Sequence, residues 1–233
     1  MRERPSHQPI RVPPEAIAQT IELYRQGYFP MAREGVITTT RTRAIEWVQP
    51  RMRGLIPLDD RFHVPKSLAR ALRQTSLVFT TDQAFPQVIR ECAQPAEGRE
   101  TTWLEPRIIA LFDALFGAGL AHSVEAWRVD GSSRVLVGGT YGLALGTAWC
   151  GESMFSRPAL GGTNASKMCL VHLVRHLQTR GFSLFDAQLS NPHLLQFGLY
   201  EMPAENYLAQ LRSAAAQPCP AWQPWIAPQF IPS

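Results

Sequence analysis

The stretch from Arg134 to Gln188 constrains the fold of this chain more than any other. It opens with RVLVGGTYGLALGTAWCGESMFS, continues in a helix-like run from Asn164 to Arg180, and closes with GFSLFDAQ. An apolar, β-branched run to Leu145, a turn near Gly146 and a second run ending at Cys150 predict a β-hairpin. Three polar residues stand where buried strands stay apolar: Glu152 after the second strand, and Asp186 and Gln188 at the end of the third. Side chains alternate along a strand, so Asp186 and Gln188 project on the same side. A carboxylate or amide at the end of a buried strand is costly to desolvate unless it is paired. Any one of the three reads most simply as a satisfied core group or a cap on the sheet. Three on consecutive core elements point to a site.

With 233 residues, 45% of them hydrophobic and 18% charged, the chain can bury a sizeable core as one large domain or two unequal ones. Its 19 prolines cluster at the two ends, which predicts extended tails there. Only Lys66 and Lys167 are lysines, so nearly all the positive charge behind the net +4 is arginine, whose rigid donor fork suits phosphate. That mild basic excess permits a nucleic-acid partner without requiring one. The leader MRERPSHQPIRVPPE has charge but no apolar core, so no secretory signal is expected. No run reaches the roughly 18 apolar residues of a membrane span. Cys92, Cys150, Cys169 and Cys219 are scattered, without a CxxC pair, which argues against a zinc site or a disulfide framework and fits a reducing cytoplasm.

Along the chain, Pro13, Pro14 and Glu15 open a helix that Gly27 stops. Tyr28 to Met31 make an aromatic turn, and residues 32–46 read as a loop or irregular hairpin. A short strand is predicted at Gly54–Leu58, with a boundary between a small N-terminal domain (1–55) and the rest (56–233). In the next helix, from Pro65 to Gln74, the spacing of Lys66, Arg70 and Arg73 puts all three on one face, with Arg51, Arg53 and Arg61 just before it. This is either a solvated basic face or a phosphate-binding surface. A strand at Leu77–Thr80 follows, then a helix from Asp82 to Ala93 with Asp82 as its cap. A polar loop holds Thr101, Thr102 and Trp103, and a longer helix runs to Gly119. The strand AHSVEAWRV is joined through Asp130-Gly131 to the Arg134 hairpin. Asn164 is a candidate cap for the helix to Arg180, Asn191-Pro192 starts a short helix, and a last helix covers Pro203–Ala216. Together these elements predict an α/β (α+β) chain built on a mixed, mostly antiparallel sheet.

Several chemistries fit poorly. Gly151-Glu152-Ser153 is half of a hydrolase nucleophile elbow but lacks the second glycine. His172 and His176 lie one helical turn apart with no third ligand in sight, and read as a helix flank. Ser166 and Lys167 are adjacent on a helix and cannot face one another. Gly138-Gly139 falls inside a strand pattern, where paired glycines mark a bulge or close backbone approach. RPALGG at 157–162 has the wrong spacing for a coenzyme A pyrophosphate loop. What remains is Glu152, Asp186 and Gln188 beside Trp103, Trp149, Leu170, Leu177 and Phe185, which form either a greasy pocket or plain core.

The motifs YRQGYFPM, WVQPRMRGLIPLDDRFHVPKSL, Thr102-Trp103, AHSVEAW, LVGGTYG, GESMFS, NASK and FDAQ occur in this order. In that order the chain resembles the leucyl/phenylalanyl-tRNA–protein transferases, over roughly residues 15–211. The resemblance implies a small N-terminal domain and a C-terminal domain with an N-acetyltransferase-like (GNAT-like) core. It further implies a cytoplasmic enzyme that moves Leu, Phe and less readily Met from aminoacyl-tRNA to proteins with an N-terminal Arg or Lys. The product would be an N-degron, with no metal or coenzyme needed and the charged tRNA as co-substrate. By position it assigns a proton relay to Asp186 and Gln188 and acceptor binding to Glu152, with a base role for Glu152 left open. It gives the aminoacyl pocket to Trp103, Trp149, Leu170, Leu177 and Phe185, and tRNA contacts to Lys66, Arg70, Arg73, Arg61 and Met31. The chain departs from the family pattern at Met31, where an aromatic residue is usual, at Phe112 and Phe116, and in a longer RPALGGTN segment.

Overall fold

The computed structural model describes residues 10–37, 43–95 and 102–227. Its elements run α1 (Pro14–Arg25), β1 (Phe29–Ile37), β2 (Arg43–Val48), β3 (Met52–Ile56), α2 (Lys66–Gln74), β4 (Val78–Thr81), α3 (Phe85–Cys92) and α4 (Pro106–Gly117). Then come β5 (Ala121–Asp130), β6 (Ser133–Leu145), β7 (Ala148–Ser156), α5 (Ala165–Arg180), β8 (Leu184–Gln188), α6 (Pro192–Leu195), β9 (Tyr200–Pro203), α7 (Ala204–Ala215) and β10 (Ile226–Ala227). β1 and β2 pair as a separate two-stranded sheet. The other strands form one sheet in the order β10-β4-β5-β6-β7-β8-β3-β9. Every pairing in it is antiparallel except β7 with β8. The expected domain boundary after residue 55 falls inside β3, an internal strand of the large sheet.

Two apolar layers follow from strand alternation. Leu143, Leu145, Cys150, Leu184 and Leu55 project into one cluster with Tyr24, Phe85, Val88, Ile108, Phe112 and Tyr207, under α1, α3, α4 and α7. Ala144, Trp149, Phe185 and Ile56 project into the other, with Leu68, Leu72, Leu170, Leu173 and Leu177 of α2 and α5. α5 lies close on β6 because position 138 is glycine: a Cβ there would collide with Ala165. The β5–β6 register also shifts at this point, so the glycine pair marks both a bulge and a close approach.

Local readings divide. α6 starts at Asn191-Pro192 as expected, and the Asn191 side chain also caps it by accepting the Leu194 N–H at 3.1 Å. Asp82 does not cap α3, which starts three residues later; its carboxylate instead takes His122 Nδ1 and the Ser123 N–H, each at 2.8 Å. Asn164 precedes α5 in a left-handed conformation without a side-chain bond to the helix. β7 does not end at Cys150 but runs to Ser156, so Glu152 lies inside a strand.

Candidate active site

The site exists because two paired strands part. β7 and β8 run parallel through Ala148↔Leu184, Trp149↔Phe185 and Cys150↔Asp186, where their pairing ends. Beyond it β7 stays with β6 and β8 stays with β3. Between the separated ends lies a cavity of about 900 Å³. Glu152, Met154 and Phe155 of β7, Ile56 of β3, Phe185 and Ala187 of β8, and Lys167 and Leu170 of α5 are among its lining residues.

Both strands bulge where they part. The β6–β7 register jumps from Tyr141↔Ser153 to Gly142↔Gly151, which leaves Glu152 as the extra residue. The β3–β8 register jumps from Leu55↔Asp186 to Gly54↔Gln188, which leaves Ala187 unpaired. Bulges re-aim side chains. Here they turn Gln188 and Glu152 toward each other, with Gln188 Nε2 donating to Glu152 Oε1 at 2.9 Å.

Gln188 has φ +64°, a strained value for a residue with a Cβ. Asp186 holds it there, because its Oδ1 accepts the Gln188 backbone N–H at 2.8 Å. Asp186 therefore reaches Gln188 through the main chain rather than through the amide side chain. The rest of its carboxylate is also occupied. Arg53 donates from Nε to Oδ1 at 2.8 Å and from Nη2 to Oδ2 at 2.7 Å, and the Tyr207 hydroxyl donates to Oδ2 at 2.8 Å. Arg53 and Asp186 are 1% and 0% exposed, so the pair is sealed in the core. The Arg53 guanidinium also donates to Gly27 O at 2.8 Å and lies over the rings of Phe29 and Tyr207, at 4.7 and 4.5 Å. Burial lowers the Arg53 pKa, but the charge and hydrogen bonds of the Asp186 carboxylate outweigh it, so the net shift is upward and the guanidinium stays charged.

Glu152 is held differently. Its Oε1 accepts from the Tyr24 hydroxyl at 2.7 Å as well as from Gln188. Its Oε2 is buried, with no hydrogen-bond partner among the described residues. Burial pushes the Glu152 carboxyl up to about 8, against the two hydrogen bonds that favour its ionised form.

The expected aminoacyl residues separate into two groups. Leu170 and Phe185 line the cavity. Leu177 and Trp149 are wholly buried in the adjoining core, where the Trp149 ring stacks on Trp222 at 5.2 Å. Trp103 packs half-buried against the cluster on the opposite face of the sheet. Of the expected tRNA contacts, Lys66, Arg70 and Arg73 stand exposed on α2 while Leu68 and Leu72 face inward. Arg61 is ion-paired with Asp59 at 2.7 Å, and Met31 packs half-buried in β1 against the core. Tyr24, Arg53 and Tyr207 were not expected at the site. An arginine 1% exposed and a tyrosine on an amphipathic helix leave no mark in periodicity that sets them apart from surface and core. His172 and His176 pack on Phe79, Trp222 and Trp225. No cluster of three metal-ligating side chains occurs among the described residues.

The fold is similar to that in a crystal structure of FemX, with a TM-score of 0.52 and 9% identity over 78% of this chain and 65% of that one. The shared architecture is the mixed sheet of the N-acetyltransferase-like kind. In sequence, residues 55–212 match the profile described as leucyl/phenylalanyl-tRNA protein transferase. A leucyl/phenylalanyl-tRNA–protein transferase of Paramagnetospirillum magneticum is 46% identical over 197 residues, covering 84% of this chain and 88% of that one. One from Hyphomonas neptunium is 45% identical over 191 residues, covering 82% and 69%. The chain belongs to the leucyl/phenylalanyl-tRNA–protein transferase family.

Proposed function

We propose that this transferase moves Leu, Phe and less readily Met from aminoacyl-tRNA to the α-amine of proteins that begin with Arg or Lys. The product then carries an N-degron in the cytoplasm. The charged tRNA is the co-substrate, and its ester supplies the driving force. The enzyme has to position the amine and manage protons. The apolar wall with Leu170 and Phe185 takes the aminoacyl side chain. Lys66, Arg70 and Arg73, with Arg61 nearby, meet the tRNA backbone, where phosphate contacts position without reading sequence. Met31 takes the terminal adenosine by apolar contact, in place of an aromatic stack.

One observation carries the catalytic part: Glu152, which lines the cavity beside Gln188, keeps one buried carboxyl oxygen without a partner among the described residues. An α-ammonium titrates near 8, and the Glu152 carboxyl is pushed up to about 8, so a proton passes between them with little free-energy change. Glu152 Oε2 takes one proton from the ammonium. The freed amine attacks the ester carbonyl carbon, the new C–N bond forms, and the bond to the tRNA 3′ oxygen breaks. The second amine proton goes to that leaving oxygen. Asp186 is saturated by four donors and its charge is matched by Arg53, so it fixes Gln188 rather than taking the proton. In its ionised form Glu152 favours a cationic acceptor and disfavours an N-terminal Asp or Glu.

The test is transfer of labelled leucine from Leu-tRNA to peptides starting with Arg, Lys, Asp or Ala. Transfer to Arg and Lys alone is the expected result. Equal transfer to the Ala or Asp peptides would overturn the acceptor assignment.

A further inference from the structure

The groups around Gln188 close into a circuit. From Gln188 it runs through the main chain to Asp186, on to Arg53, and from Arg53 to the carbonyl of Gly27, just beyond α1. From the other end of Gln188 it runs through Nε2 to Glu152 and from Glu152 to Tyr24, three residues before Gly27. The segment from Tyr24 to Gly27 is thus pinned at two points to the two ends of Gln188. Tyr24 is 1% exposed, and its ring meets Trp47 edge-on at 6.0 Å, so it has little freedom to move away.

A carboxyl group whose two oxygens are equivalent can take a proton on either. In Glu152 they are not equivalent, because Oε1 accepts two donors and Oε2 none. We propose that Tyr24 is a positioning residue of the transfer reaction: by donating to Oε1 alongside Gln188, it reserves Oε2 as the oxygen that takes the proton of the incoming amine. The proposal rests on the reading of Glu152 as proton acceptor given above. With Gln188 as sole donor, the carboxyl could turn and exchange its bonded and unbonded oxygens.

Tyr24 also bears on when Glu152 ionises. The groups facing it are Tyr24 from α1, Gln188 and Asp186 from β8, Arg53 from β3 and Cys150 from its own strand. Burial and Asp186 oppose ionisation, while Tyr24, Gln188 and Arg53 favour it. Removing the Tyr24 hydroxyl removes a favouring group.

The experiment measures pH profiles of leucine transfer to an Arg-initiated peptide. Tyr24→Phe keeps the ring and deletes the donor. Its kcat is expected to fall about 10-fold, with KM for Leu-tRNA nearly unchanged and the acid limb of kcat/KM moved to higher pH. Substituting 3-fluorotyrosine at position 24 leaves the shape almost intact and makes the phenol a stronger donor. The limb should then move to lower pH, which tests the proposal even if Tyr24→Phe folds poorly. A merely structural tyrosine would lower thermal stability and leave the limb where it was in both variants, and that result overturns the proposal. Adding Tyr24→Phe to Glu152→Gln should cost nothing further; an undiminished second loss also overturns it. Glu152→Gln alone separates the two readings. If that variant keeps the wild-type rate and limb, the base assignment fails; if it loses both, only the Tyr24 arms remain to decide.

Discussion

Asp186 and Glu152 stand on neighbouring strands, the first wholly buried and the second half-buried, and they are built to opposite ends. Asp186 has a donor in every direction: two from Arg53, one from Tyr207, one from the backbone of Gln188. Glu152, which lines the cavity, has both donors on one oxygen and leaves the other, buried, without a partner among the described residues. A carboxylate with all its acceptor sites filled is a structural anchor, since any proton it took would displace a bond. A carboxyl with one empty oxygen and a raised proton affinity is poised to exchange a proton. Carboxylate identity alone, or distance to Gln188, would have ranked the two equally. The distribution of donors separates them.

The largest way to break this contrast is to strip Asp186 of its cation. Arg53→Met leaves a buried carboxylate with two hydrogen bonds and no counter-charge, and breaking such a pair costs about 3–5 kcal/mol. Urea denaturation should show that loss, and transfer should disappear with it as Gln188 leaves its strained φ. Replacing Glu152 with Gln should leave stability at neutral pH within about 1 kcal/mol while lowering kcat by about 10²–10⁴-fold. Should Arg53→Met prove as stable as the parent, Asp186 is no anchor.

A second contrast divides the expected aminoacyl pocket. Leu170 lines the cavity, whereas Leu177, two turns further along α5, is closed into the core. Leu177→Ala should cost about 2–5 kcal/mol of stability by opening a void, with the Leu-to-Phe preference unchanged. Leu170→Ala should cost less, because the cavity already borders it, and should shift preference toward Phe by making room. Competition between labelled Leu-tRNA and Phe-tRNA reads the shift directly. A change of preference in Leu177→Ala of the same size would mean that the pocket extends past the cavity into the α5 core.

Much of this was legible in the sequence. Hydrophobic alternation and the Gly146 turn located the central hairpin, and the polar interruptions at 152, 186 and 188 marked residues that the fold brings together at one candidate site. The exact end of β7 was not legible, since a bulge admits Glu152 into a strand that periodicity would stop at Cys150. Nor was the division of labour between the carboxylates. It depends on Arg53 and Tyr24, which lie 133 and 128 residues away from their partners in sequence. Long-range pairing of that kind leaves no local pattern. Asp82 misled for a related reason: a residue placed to cap a helix found His122 and Ser123 across the sheet instead.

The smallest effect concerns Glu152 itself and carries a definite sign. Its folded pKa is raised, from the ordinary 4.5 to about 8. The neutral form is therefore the one the fold favours. The associated stability is fully present below about 4.5 and is lost as pH rises through about 8. Glu152→Gln cannot titrate and should show no such loss. The stability difference, parent minus variant, should fall between pH 5 and pH 8.5, because ionising Glu152 in the fold places a charge where burial disfavours it. Matched urea titrations of the two proteins at these pH values measure it, because every other ionisable group titrates in both. A flat difference would mean that the bare oxygen is solvated in solution. Glu152 and Asp186 would then both be satisfied carboxylates, and the contrast between them would rest on access to the cavity alone.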